Sequence, residues 1–584
     1  MLALAVGLGL TASVGQAGPS GPVTWGATVN VTGGGWGRMI PLTNGHWLCV
    51  STLFPPGTNS YLGIYRSGDA CRTWHLLTHV REDGRTLDNG ELVALPNGDV
   101  LLTMRSLIHG SSYRLPVYRS QDHGAQWTYL STIDASENAG TRGLWEPDFW
   151  VLADDRLIVT YSNEKHQIGW PSYSQIISAR VSSDHGASWG PEIRVVTQPG
   201  GGGLRPGMSQ MTRMVNGQYL LVYEVVGLGN ADVYAKSSAD GVTWPRGLGT
   251  RIPGHHGGPF VTALPDGRVF ITSCENQVSF SEDFGETWQK LDPPAWHLGF
   301  HFSWPALYAT QTNELAVMVV APNVKLRFGA LAPPKIWPDL FTENFDDSTD
   351  LDWTRYGANF AFDNGHYELN NLGTYGKALV GDNFWTDGIL EADVRLQTAS
   401  GDGGLLMRAT NPDDLGPDDL YGYYVGLRAG GAVFLGKMSY SWKEIATAAM
   451  PIATNTWYHL KIILTGPQLA IYVDDMTTPK IIHTDTTHRR GQIGVRSFQA
   501  NAQFDNVIFR NTAPWRLRLR RQKDQLHFSW RQNAHQRQLA SSPDPTTPAS
   551  WQLITNTPTL TDGEWSLSLP LPSLPQQFFR LQPQ

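Results

Sequence analysis

A turn with the sequence Ser-x-Asp-x-Gly-x-x-Trp occurs five times in this chain and restricts its fold more than any other feature. In such a turn the Ser and Asp side chains hydrogen-bond to the local backbone, Gly takes a positive φ, and Trp packs between strands. Cys71 replaces Gly in the first copy, and the fourth copy is one residue short. The copies occupy residues 67–74, 120–127, 182–189, 238–244 and 281–288. Their Trp residues are 53, 62, 55 and 44 positions apart, which is the period of a four-stranded propeller blade.

A second repeat consists of apolar runs on either side of a short turn, a pattern typical of β-hairpins. The six turns are Asn44-Gly45, Asn97-Gly98, Asp154-Asp155, Asn216-Gly217, Asp266-Gly267 and Asn313-Glu314. Each of the first five hairpins is followed by one Ser-Asp-Trp turn, so each such pair predicts one blade. The sixth lacks this turn, and residues 23–31 are predicted to complete it, closing the ring without an exposed edge. The sequence therefore predicts a six-bladed β-propeller over residues 22–331.

Two further modules follow the propeller in the sequence. A Pro-rich linker at 332–339 ends the propeller pattern, and residues 340–511 alternate as strands without Ser-Asp-Trp turns. These strands resemble a concanavalin-like jelly-roll β-sandwich of the laminin-G or carbohydrate-binding kind. Tyr440, Trp442 and the tyrosines of residues 421–424 are candidate sugar platforms, with core packing as the alternative. Short strands over 514–584 predict a small β-rich C-terminal module, to which no chemistry is assigned. The predicted fold class is all-β throughout.

Composition narrows the class of protein. Only 16% of the residues are charged and the net charge is −8, so the chain lacks the basic surface that binds nucleic acid. The 22 Trp, 20 Tyr and 61 Gly residues suit an all-β protein that handles carbohydrate, because flat sugar faces stack on aromatic rings. Three cysteines are too few for a disulfide framework. We expect a monomer whose partner is an oligo- or polysaccharide substrate, with no metal and no cofactor.

The first 17 residues have the pattern of an export signal. An apolar run is followed by Gly15-Gln16-Ala17, which places small residues at the positions typical of signal-peptide cleavage. No later apolar stretch is long enough to span a membrane. We therefore expect residues 1–17 to be a signal peptide and the protein to be secreted or periplasmic.

The hairpin turns also predict which residues lie near the axis of the propeller. If these turns join the two inner strands of each blade, residues about eight positions before or after them lie at the opposite face. The first strands then contribute Arg38, Asn89, Glu146, Arg205, His256 and Trp304. The second strands contribute Arg105, Glu164, Glu224 and Cys274. Because Glu146 and Glu224 come from adjacent blades, they are predicted to face each other across one pocket.

Glu146 and Glu224 are the candidate catalytic residues. Glycosidic bonds are commonly cleaved by two carboxyl groups, one that protonates the leaving oxygen and one that acts as nucleophile or base. Trp145 and Pro147 give Glu146 an apolar, stiff setting that favours a raised pKa. The alternative is that each Glu is a solvated loop residue or the partner of an arginine. The candidate substrate-binding residues are Arg38, Asn89, Arg105, Trp145, Glu164, Arg205, His256, Trp304 and Tyr308.

These segments resemble a known group of enzymes. The Ser-Asp-Trp turns are similar to the Asp-boxes of the sialidase superfamily. Trp145-Glu-Pro147, and Arg205-Pro-Gly-Met208 followed by Tyr223-Glu224, resemble the exo-α-L-arabinanases of glycoside hydrolase family 93. The resemblance covers roughly residues 25–330. It implies a six-bladed propeller that acts with retention on the ends of α-1,5-linked arabinan, with Glu146 as acid/base, Glu224 as nucleophile and no metal, although the sequence alone does not order the two roles.

Two alternatives stay open. Residues 38–41 (Arg-Met-Ile-Pro) are similar to the Arg-Ile-Pro signature of true sialidases, although Met39 interrupts it. That signature supplies one of three arginines that bind the sialic acid carboxylate; Arg105 and Arg205 are candidates for the others, and Tyr308 for the phenol nucleophile. An exo-α-sialidase is therefore the second interpretation. A non-catalytic carbohydrate-binding propeller is the third, because Ser-Asp-Trp turns indicate fold and not activity.

Overall fold

The protein is described by a computed structural model whose described regular elements are almost all β-strands. They also include a 3-10 turn at Lys165–Gln167. The described residues are 22–137, 140, 142–168, 171–198, 203–274, 277–296, 303–335, 337–512, 517–522, 524–531, 537–544, 546–547, 550–561, 564–572 and 577–583. The predicted signal peptide, residues 1–17, lies outside them. Within them, no helix has the length and apolar character needed to cross a membrane.

Six four-stranded antiparallel sheets, numbered I to VI here, occupy the described part of residues 23–331. Strand β1 (Val23–Thr32) belongs to sheet VI. Sheet I contains β2 (Gly35–Pro41), β3 (Trp47–Leu53), β4 (Tyr61–Ser67) and β5 (His75–Val80). Sheet II contains β6 (Thr86–Ala94), β7 (Val100–Ile108), β8 (Ser112–Ser120) and β9 (Thr128–Glu137). Sheet III contains β10 (Leu144–Val151), β11 (Leu157–Asn163), β12 (Ile176–Ser182) and β13 (Ile193–Val196).

The remaining sheets of this region follow the same order along the chain. Sheet IV contains β14 (Arg205–Arg213), β15 (Tyr219–Val226), β16 (Asp232–Ser238) and β17 (Thr250–His256). Sheet V contains β18 (Phe260–Ala263), β19 (Val269–Thr272), β20 (Val278–Ser281) and β21 (Gln289–Lys290). Sheet VI contains β22 (Ser303–Gln311), β23 (Glu314–Val320), β24 (Val324–Leu331) and β1.

The six sheets form a propeller-like ring. The first strand of each sheet contacts the first strand of the next, in the order β2, β6, β10, β14, β18 and β22, and β22 contacts β2. Strand β1 pairs with β24 in antiparallel fashion, so the N-terminal strand completes the sheet that contains β22. The predicted closure of the last sheet by residues near 23–31 is therefore confirmed, and it leaves β24 paired on both sides.

Each Ser-Asp-Trp turn joins the third and fourth strands of its sheet. In the second copy, Ser120 Oγ donates to Asp122 Oδ1 at 2.8 Å and accepts from the Gly124 amide at 2.8 Å. The same two bonds recur in the other four copies. Cys71 adopts a φ of 69°, the left-handed region that Gly occupies in the other copies. Because the hairpin turns join the first and second strands, both kinds of turn lie at one end of the sheets, and the opposite end is free for a site.

Residues 340–511 form a β-sandwich of two antiparallel sheets with a dense apolar core between them. Sheet VII contains β25 (Leu340–Glu343), β27 (Phe360–Asp363), β28 (His366–Asn370), β30 (Gly388–Leu396), β35 (Trp457–Thr465), β36 (Gln468–Val473), β37 (Ile481–Thr484) and β39 (Asn501–Asn511). Sheet VIII contains β26 (Thr354–Gly357), β29 (Tyr375–Val380), β31 (Asp402–Thr410), β32 (Tyr421–Arg428), β33 (Ala432–Ser439), β34 (Trp442–Ala449) and β38 (Gln492–Phe498). The alternating burial of strands such as β30 explains why the sequence pattern predicts them.

The C-terminal module packs against the ring rather than standing alone. Its two small sheets contain β40 (Arg518–Gln522), β41 (Gln525–Arg531), β44 (Thr559–Thr561) and β45 (Glu564–Pro570), and β42 (Arg537–Ser542), β43 (Gln552–Leu553) and β46 (Phe578–Pro583). Trp530 and Trp565 of this module share one buried apolar cluster with Val222 and Trp288 of sheets IV and V. The module and these two sheets therefore have a common core.

Candidate active site

The first strands of the ring share one backbone irregularity at the end away from the hairpin turns. In each of the six sheets, one residue at this end adopts a positive φ between 44° and 55°, which strains any residue that has a side chain. These residues are Trp36, Asn89, Glu146, Met208, Gly258 and Trp304. In five of the sheets the residue lies within a β-bulge, a device that redirects side chains next to functional sites. The bulge positions bring residues of neighbouring sheets into contact.

This register differs from the predicted one in three sheets. Trp36 rather than Arg38, Met208 rather than Arg205, and Gly258 rather than His256 occupy the positions equivalent to Glu146. Each of the three lies eight residues before its hairpin turn, as Glu146 and Asn89 do. The predicted residues are displaced by two or three positions, because a spacing of about eight residues gives the position along a strand only approximately.

The second strands have a corresponding register. The residue before each bulge is paired with Thr52, Arg105, Ser162 and Glu224 in sheets I to IV. In sheet V, the Cys274 amide donates to the Gly257 carbonyl. Ser162 therefore occupies the position at which Glu164 was expected. Glu164 lies two residues further, just after β11.

Glu146 is held by two hydrogen bonds from other strands. Its Oε2 accepts from Ser162 Oγ at 2.9 Å and from the Met208 amide at 3.1 Å. Burial, followed by the negative charge of Glu224, raises the pKa of Glu146 to about 7, against the opposing effect of the two hydrogen bonds and of Arg105. Glu146 is therefore suited to carry a proton near neutral pH.

Glu224 comes from the next sheet and is held by sheet V. Its Oε2 accepts a hydrogen bond from the Gly258 amide at 2.6 Å. Burial raises the pKa of Glu224, while the Gly258 amide and the charge of Arg205 favour its ionised form. A hydrogen bond of this length from a backbone amide to a carboxylate is strong and fixes the carboxylate in position.

Met208 connects the surroundings of the two carboxyl groups. Its amide donates to Glu146, and its side-chain tip lies beside Gly258, where an added Cβ would come within 3.1 Å of the Met208 methyl group. At Gly257 an added Cβ would lie 3.8 Å from Glu224 Oε2. The pair Gly257-Gly258 thus allows the backbone to approach both Met208 and Glu224 closely.

Arg105, Asp88 and Trp145 form one side of the site. Arg105 Nη2 donates to Asp88 Oδ2 at 2.8 Å, and its guanidinium lies 4.2 Å from the centre of the Trp145 ring. The Arg105 and Asp88 side chains are 14% and 19% exposed, so this pair lies at the edge of solvent. Asn89 follows Asp88, and its amide donates to Asp88 Oδ1 at 2.8 Å. The structure thus brings Arg105, Trp145 and Asn89 together next to Glu146.

Arg205 and Glu164 form a second side, together with a residue that the sequence did not indicate. Arg205 Nη2 donates to Glu164 Oε1 at 2.7 Å and to Gln175 Oε1 at 2.9 Å. The other carboxylate oxygen of Glu164 accepts from the Gly143 amide at 2.7 Å. Glu164 is buried while Arg205 is 43% exposed, so Glu164 anchors an arginine whose guanidinium reaches solvent near Glu224.

Arg38 lies beneath the site in a buried cluster of charges. It is 1% exposed, and its Nη1 donates to the carbonyls of Gly37 and Trp304 at 2.8 and 3.2 Å. Its Nε lies 3.6 Å from Glu91 Oε2, and burial raises the pKa values of Glu91 and of the neighbouring Asp148. The structure therefore places Arg38 among buried carboxyl groups and not on an open pocket surface.

Trp304 and Tyr308 lie on the same strand but have different surroundings. The Trp304 ring packs against Trp36 with a centroid distance of 5.7 Å. The Tyr308 hydroxyl accepts from the Met39 amide at 3.1 Å, and its ring packs against Phe260. Burial raises the pKa of Tyr308, which opposes the ionisation that a phenol nucleophile requires.

His256 is the last predicted site residue, and it lies at the end of β17, the fourth strand of sheet IV, instead of on a first strand. Its Nδ1 lies 3.0 Å from Asp232 Oδ1, and its amide donates to Ser273 Oγ at 3.2 Å. The preceding His255 is fully buried between Ser273 and Ser279, and burial lowers its pKa to about 3. In the part of the chain that the structure describes, no group of three or more His, Cys, Asp or Glu side chains is arranged to hold a metal ion.

Comparison with known proteins gives a different match for each part of the chain. Residues 340–510 match the model of the 3-keto-alpha-glucoside-1,2-lyase-like domain. No curated protein matches the chain in sequence.

Three solved structures are similar to parts of this chain. An alpha-L-arabinanase from Penicillium chrysogenum, complexed with arabinobiose, is 24% identical over 54% of this chain and 100% of its own, with a TM-score of 0.47. The GH93 alpha-L-arabinofuranosidase of Fusarium graminearum with arabinobiose is 19% identical over 52% of this chain and 97% of its own, with a TM-score of 0.45. A sialidase from Trypanosoma rangeli is 11% identical over 83% of this chain and 92% of its own, with a TM-score of 0.43.

Proposed function

We propose that this chain is a retaining glycoside hydrolase that acts on the ends of its substrate, with Glu146 and Glu224 as its catalytic residues. The observation that carries the proposal is the contrast between the two carboxyl groups. Burial and the charge of Glu224 raise the pKa of Glu146 to about 7; burial also raises the pKa of Glu224, but there a backbone amide and the charge of Arg205 favour the ionised form. One protonated and one ionised carboxyl group at the same site are what cleavage of a glycosidic bond requires.

The proposed reaction has two steps. Glu146 gives its proton to the glycosidic oxygen while Glu224 attacks the anomeric carbon, so that the leaving sugar departs and a glycosyl ester of Glu224 forms. Ester formation removes the charge of Glu224, which lowers the pKa of Glu146. Glu146 can then take a proton from water, which attacks the anomeric carbon; the bond from this carbon to Glu224 breaks, Glu224 regains its charge, and the sugar is released.

The proposed substrate is α-1,5-linked arabinan. The support comes from the sequence segments 145–147 and 205–208 and from the state of the three arginines that a sialidase needs. Arg38 is buried, Arg105 is bonded to Asp88, and Arg205 is bonded to Glu164. Arginines with their own acidic partners suit a neutral sugar better than a sialic acid carboxylate, which needs arginines free to bind it.

The decisive experiment compares linear arabinan with an aryl sialoside as substrates. We expect the wild type to cleave arabinan from its ends with retention at the anomeric carbon, and Glu224→Ala to lose at least about a thousandfold in kcat. Glu137→Ala is the matched control, because Glu137 is an exposed glutamate on β9. Cleavage of the sialoside alone would show that the proposed substrate is wrong. Full activity of Glu224→Ala would show that the proposed mechanism is wrong. Binding without hydrolysis of any glycan would favour a carbohydrate-binding protein.

The order of the two roles has its own test. Azide is a small nucleophile that needs no general base. With an activated aryl arabinoside, Glu146→Ala is expected to give a glycosyl azide of retained configuration, because the Glu224 ester still forms. Glu224→Ala with azide is expected to give the inverted product. The reverse pattern would exchange the two roles.

We also propose that the ring is a six-bladed propeller and that the jelly roll is a polysaccharide-binding domain. We propose further that the chain is exported and acts as a monomer. Six sheets with a closed circle of first strands support the blade number. Tyr421 and Trp442 are 40% and 36% exposed at one end of sheet VIII, where flat rings suit sugar binding. Sedimentation tests whether the chain is a monomer, and the location of the expressed chain tests whether it is exported. Weaker retention of Tyr421→Ala and Trp442→Ala on insoluble arabinan would support sugar binding by these two rings.

A further inference from the structure

One loop of the jelly roll reaches the ring close to the candidate site. This loop, residues 411–420, connects β31 and β32. Asp413 within it is 3% exposed, and its Oδ2 accepts a hydrogen bond from the Gly254 amide at 2.9 Å. The same oxygen lies 4.0 Å from Nη2 of Arg251. We call these three residues, Asp413, Gly254 and Arg251, the interdomain latch.

The ring side of the latch leads directly to Glu224. Gly254 and Arg251 both lie on β17, which ends at His256. Two residues later, the Gly258 amide donates to Glu224 Oε2 at 2.6 Å. The Gly257 amide between them donates to the Ala231 carbonyl at 2.9 Å. The amide that Asp413 holds is therefore four positions before the amide that holds Glu224.

The segment from Gly254 to Gly258 is held by the ring at His255, His256 and Gly257 and by the jelly roll at Gly254. Strand β17 is the edge strand of sheet IV, and its pairing with β16 is interrupted between Asp232 and Tyr234. Gly254, Gly257 and Gly258 all have positive φ values, between 44° and 65°. Three glycines in five residues give this segment wide backbone freedom, because glycine accesses far more conformations than other residues. A bond that removes this freedom also fixes the position of the Gly258 amide.

The latch continues into a chain of charged groups on the ring. Arg251 Nε donates to Asp232 Oδ2 at 2.8 Å, and Asp232 Oδ1 lies 3.0 Å from His256 Nδ1. The guanidinium of Arg251 also lies 5.7 Å from the ring centre of Tyr440, another jelly-roll residue. Arg251 is thus held between its own sheet and the jelly roll. Strand β17 is therefore restrained at Arg251 as well as at Gly254.

We infer that Asp413 is a positioning residue for catalysis, and that the jelly roll completes the active site by fixing the backbone segment whose amide holds Glu224. This inference rests on the proposed function, because it assigns Asp413 a role in the reaction of Glu224. The jelly roll is then part of the catalytic unit in addition to any binding of polysaccharide.

Other contacts between the two domains supply a matched control. Asp414, the next residue of the loop, bonds to Lys290 Nζ at 2.7 Å, and Asn411 Oδ1 accepts from the Trp288 amide at 2.7 Å. Lys290 and Trp288 are on sheet V, at the end that carries the Ser-Asp-Trp turn. They dock the jelly roll without contacting the segment that leads to Glu224. Asp414→Asn therefore weakens docking and leaves the latch in place.

The experiment compares Asp413→Ala, Asp413→Asn and Asp414→Asn in the full-length chain. For Asp413→Ala we expect about a tenfold fall in kcat on arabinan with KM changed less than twofold, because the nucleophile is displaced while sugar contacts remain. Asp413→Asn keeps an oxygen acceptor for Gly254 and should recover most of kcat. Hydrogen exchange of the backbone in residues 250–258 should be faster in Asp413→Ala than in Asp414→Asn.

The outcomes separate this inference from the proposed function. If Asp413→Ala keeps wild-type kcat and wild-type exchange in residues 250–258, the inference is wrong. An equal loss of kcat in Asp414→Asn and Asp413→Ala also overturns it, because docking alone would then account for the effect. If the wild type cleaves no glycan, the proposed function fails and the catalytic role of Asp413 fails with it, while the exchange rates still decide whether the latch restrains the segment. If Asp413→Ala does not fold, hydrogen exchange of residues 250–258 must still be faster in Asp413→Asn than in Asp414→Asn, because an amide oxygen is a weaker acceptor than a carboxylate; equal exchange in the two variants then overturns the inference.

Discussion

At the scale of single residues, Glu146 occupies surroundings that oppose its charge. Its folded-state pKa is raised to about 7, above the unfolded value, so the folded state holds this proton more tightly. The stability that the proton provides is complete below the unfolded pKa and is lost as the pH rises through the folded pKa. Glu146→Gln removes the charge and keeps an oxygen for Ser162 and Met208. We therefore expect this variant to exceed the wild type in stability by about 1–3 kcal/mol at pH 8 and by much less at pH 5.

Thermal unfolding at the two pH values measures this difference. Glu137→Gln is the control, because it removes an exposed carboxylate from β9 and should change neither value. If Glu146→Gln is no more stable than the wild type at pH 8, the surroundings of Glu146 do not oppose its charge.

Ser162 controls the same proton from a second strand. Its hydroxyl donates to Glu146 Oε2 and so stabilises the ionised carboxylate and lowers its pKa. Ser162→Ala removes this bond, which raises the pKa of Glu146 further. If Glu146 is the acid, the alkaline limb of kcat/KM against pH should move upward by about one pH unit. Ser183→Ala, at an exposed serine, should leave the limb in place, and an unmoved limb in Ser162→Ala would argue against the acid role of Glu146.

At the scale of elements, the Ser-Asp-Trp turns stabilise sheets and should not affect chemistry. Ser182 Oγ donates to Asp184 Oδ1 and accepts from the Gly186 amide, each at 2.8 Å, and this amide is buried. Ser182→Ala leaves the amide without its acceptor, so we expect a loss of about 1–3 kcal/mol in the free energy of unfolding. The turn lies at the end of sheet III opposite Glu146, so kcat/KM at a temperature where both proteins are folded should be unchanged.

The adjacent serine provides the matched control for this turn. Ser183 is exposed, and Ser183→Ala should change stability by less than about 0.5 kcal/mol. A fall in kcat/KM for Ser182→Ala would show that the turn communicates with the site.

The turns and hairpins could be predicted from sequence because their hydrogen bonds are local. Ser67 and Cys71, for example, bond across four residues, so the motif itself contains the interaction. The site is different. Ser162, Met208 and Gly258 reach the two catalytic candidates through contacts between strands that are 16 to 62 residues apart.

The spacing from the hairpin turn identifies three site residues that the sequence prediction did not include. In sheets I to V, the residue with a positive φ at the site end lies eight positions before the hairpin turn, so the strict spacing selects Trp36, Met208 and Gly258. The spacing does not identify Gln175 or Asp413, because neither belongs to a repeat of the ring. Gln175 lies in a loop after β11 and Asp413 lies in the jelly roll, so their positions depend on how these two segments pack against the ring.

At the scale of the whole molecule, the C-terminal module and the ring share a buried core. Trp565 is 8% exposed and its ring meets Phe284 of the last Ser-Asp-Trp turn at a centroid distance of 6.1 Å, nearly edge-on. The jelly roll has a separate core of its own. The module therefore belongs energetically to the ring, although the jelly roll separates the two in the sequence.

This arrangement predicts which unfolding transition a mutation in the module affects. Trp565→Ala removes a large buried ring from the shared core, so we expect a loss of about 3–5 kcal/mol from the transition of the ring and no shift in that of the jelly roll. Differential scanning calorimetry of the full chain separates the two. Leu553→Ala, at a residue of the module that is 47% exposed, is the control and should shift neither. A new transition at low temperature, with the transition of the ring unchanged, would mean that the module folds as an independent unit, since a shared core requires the two to unfold together.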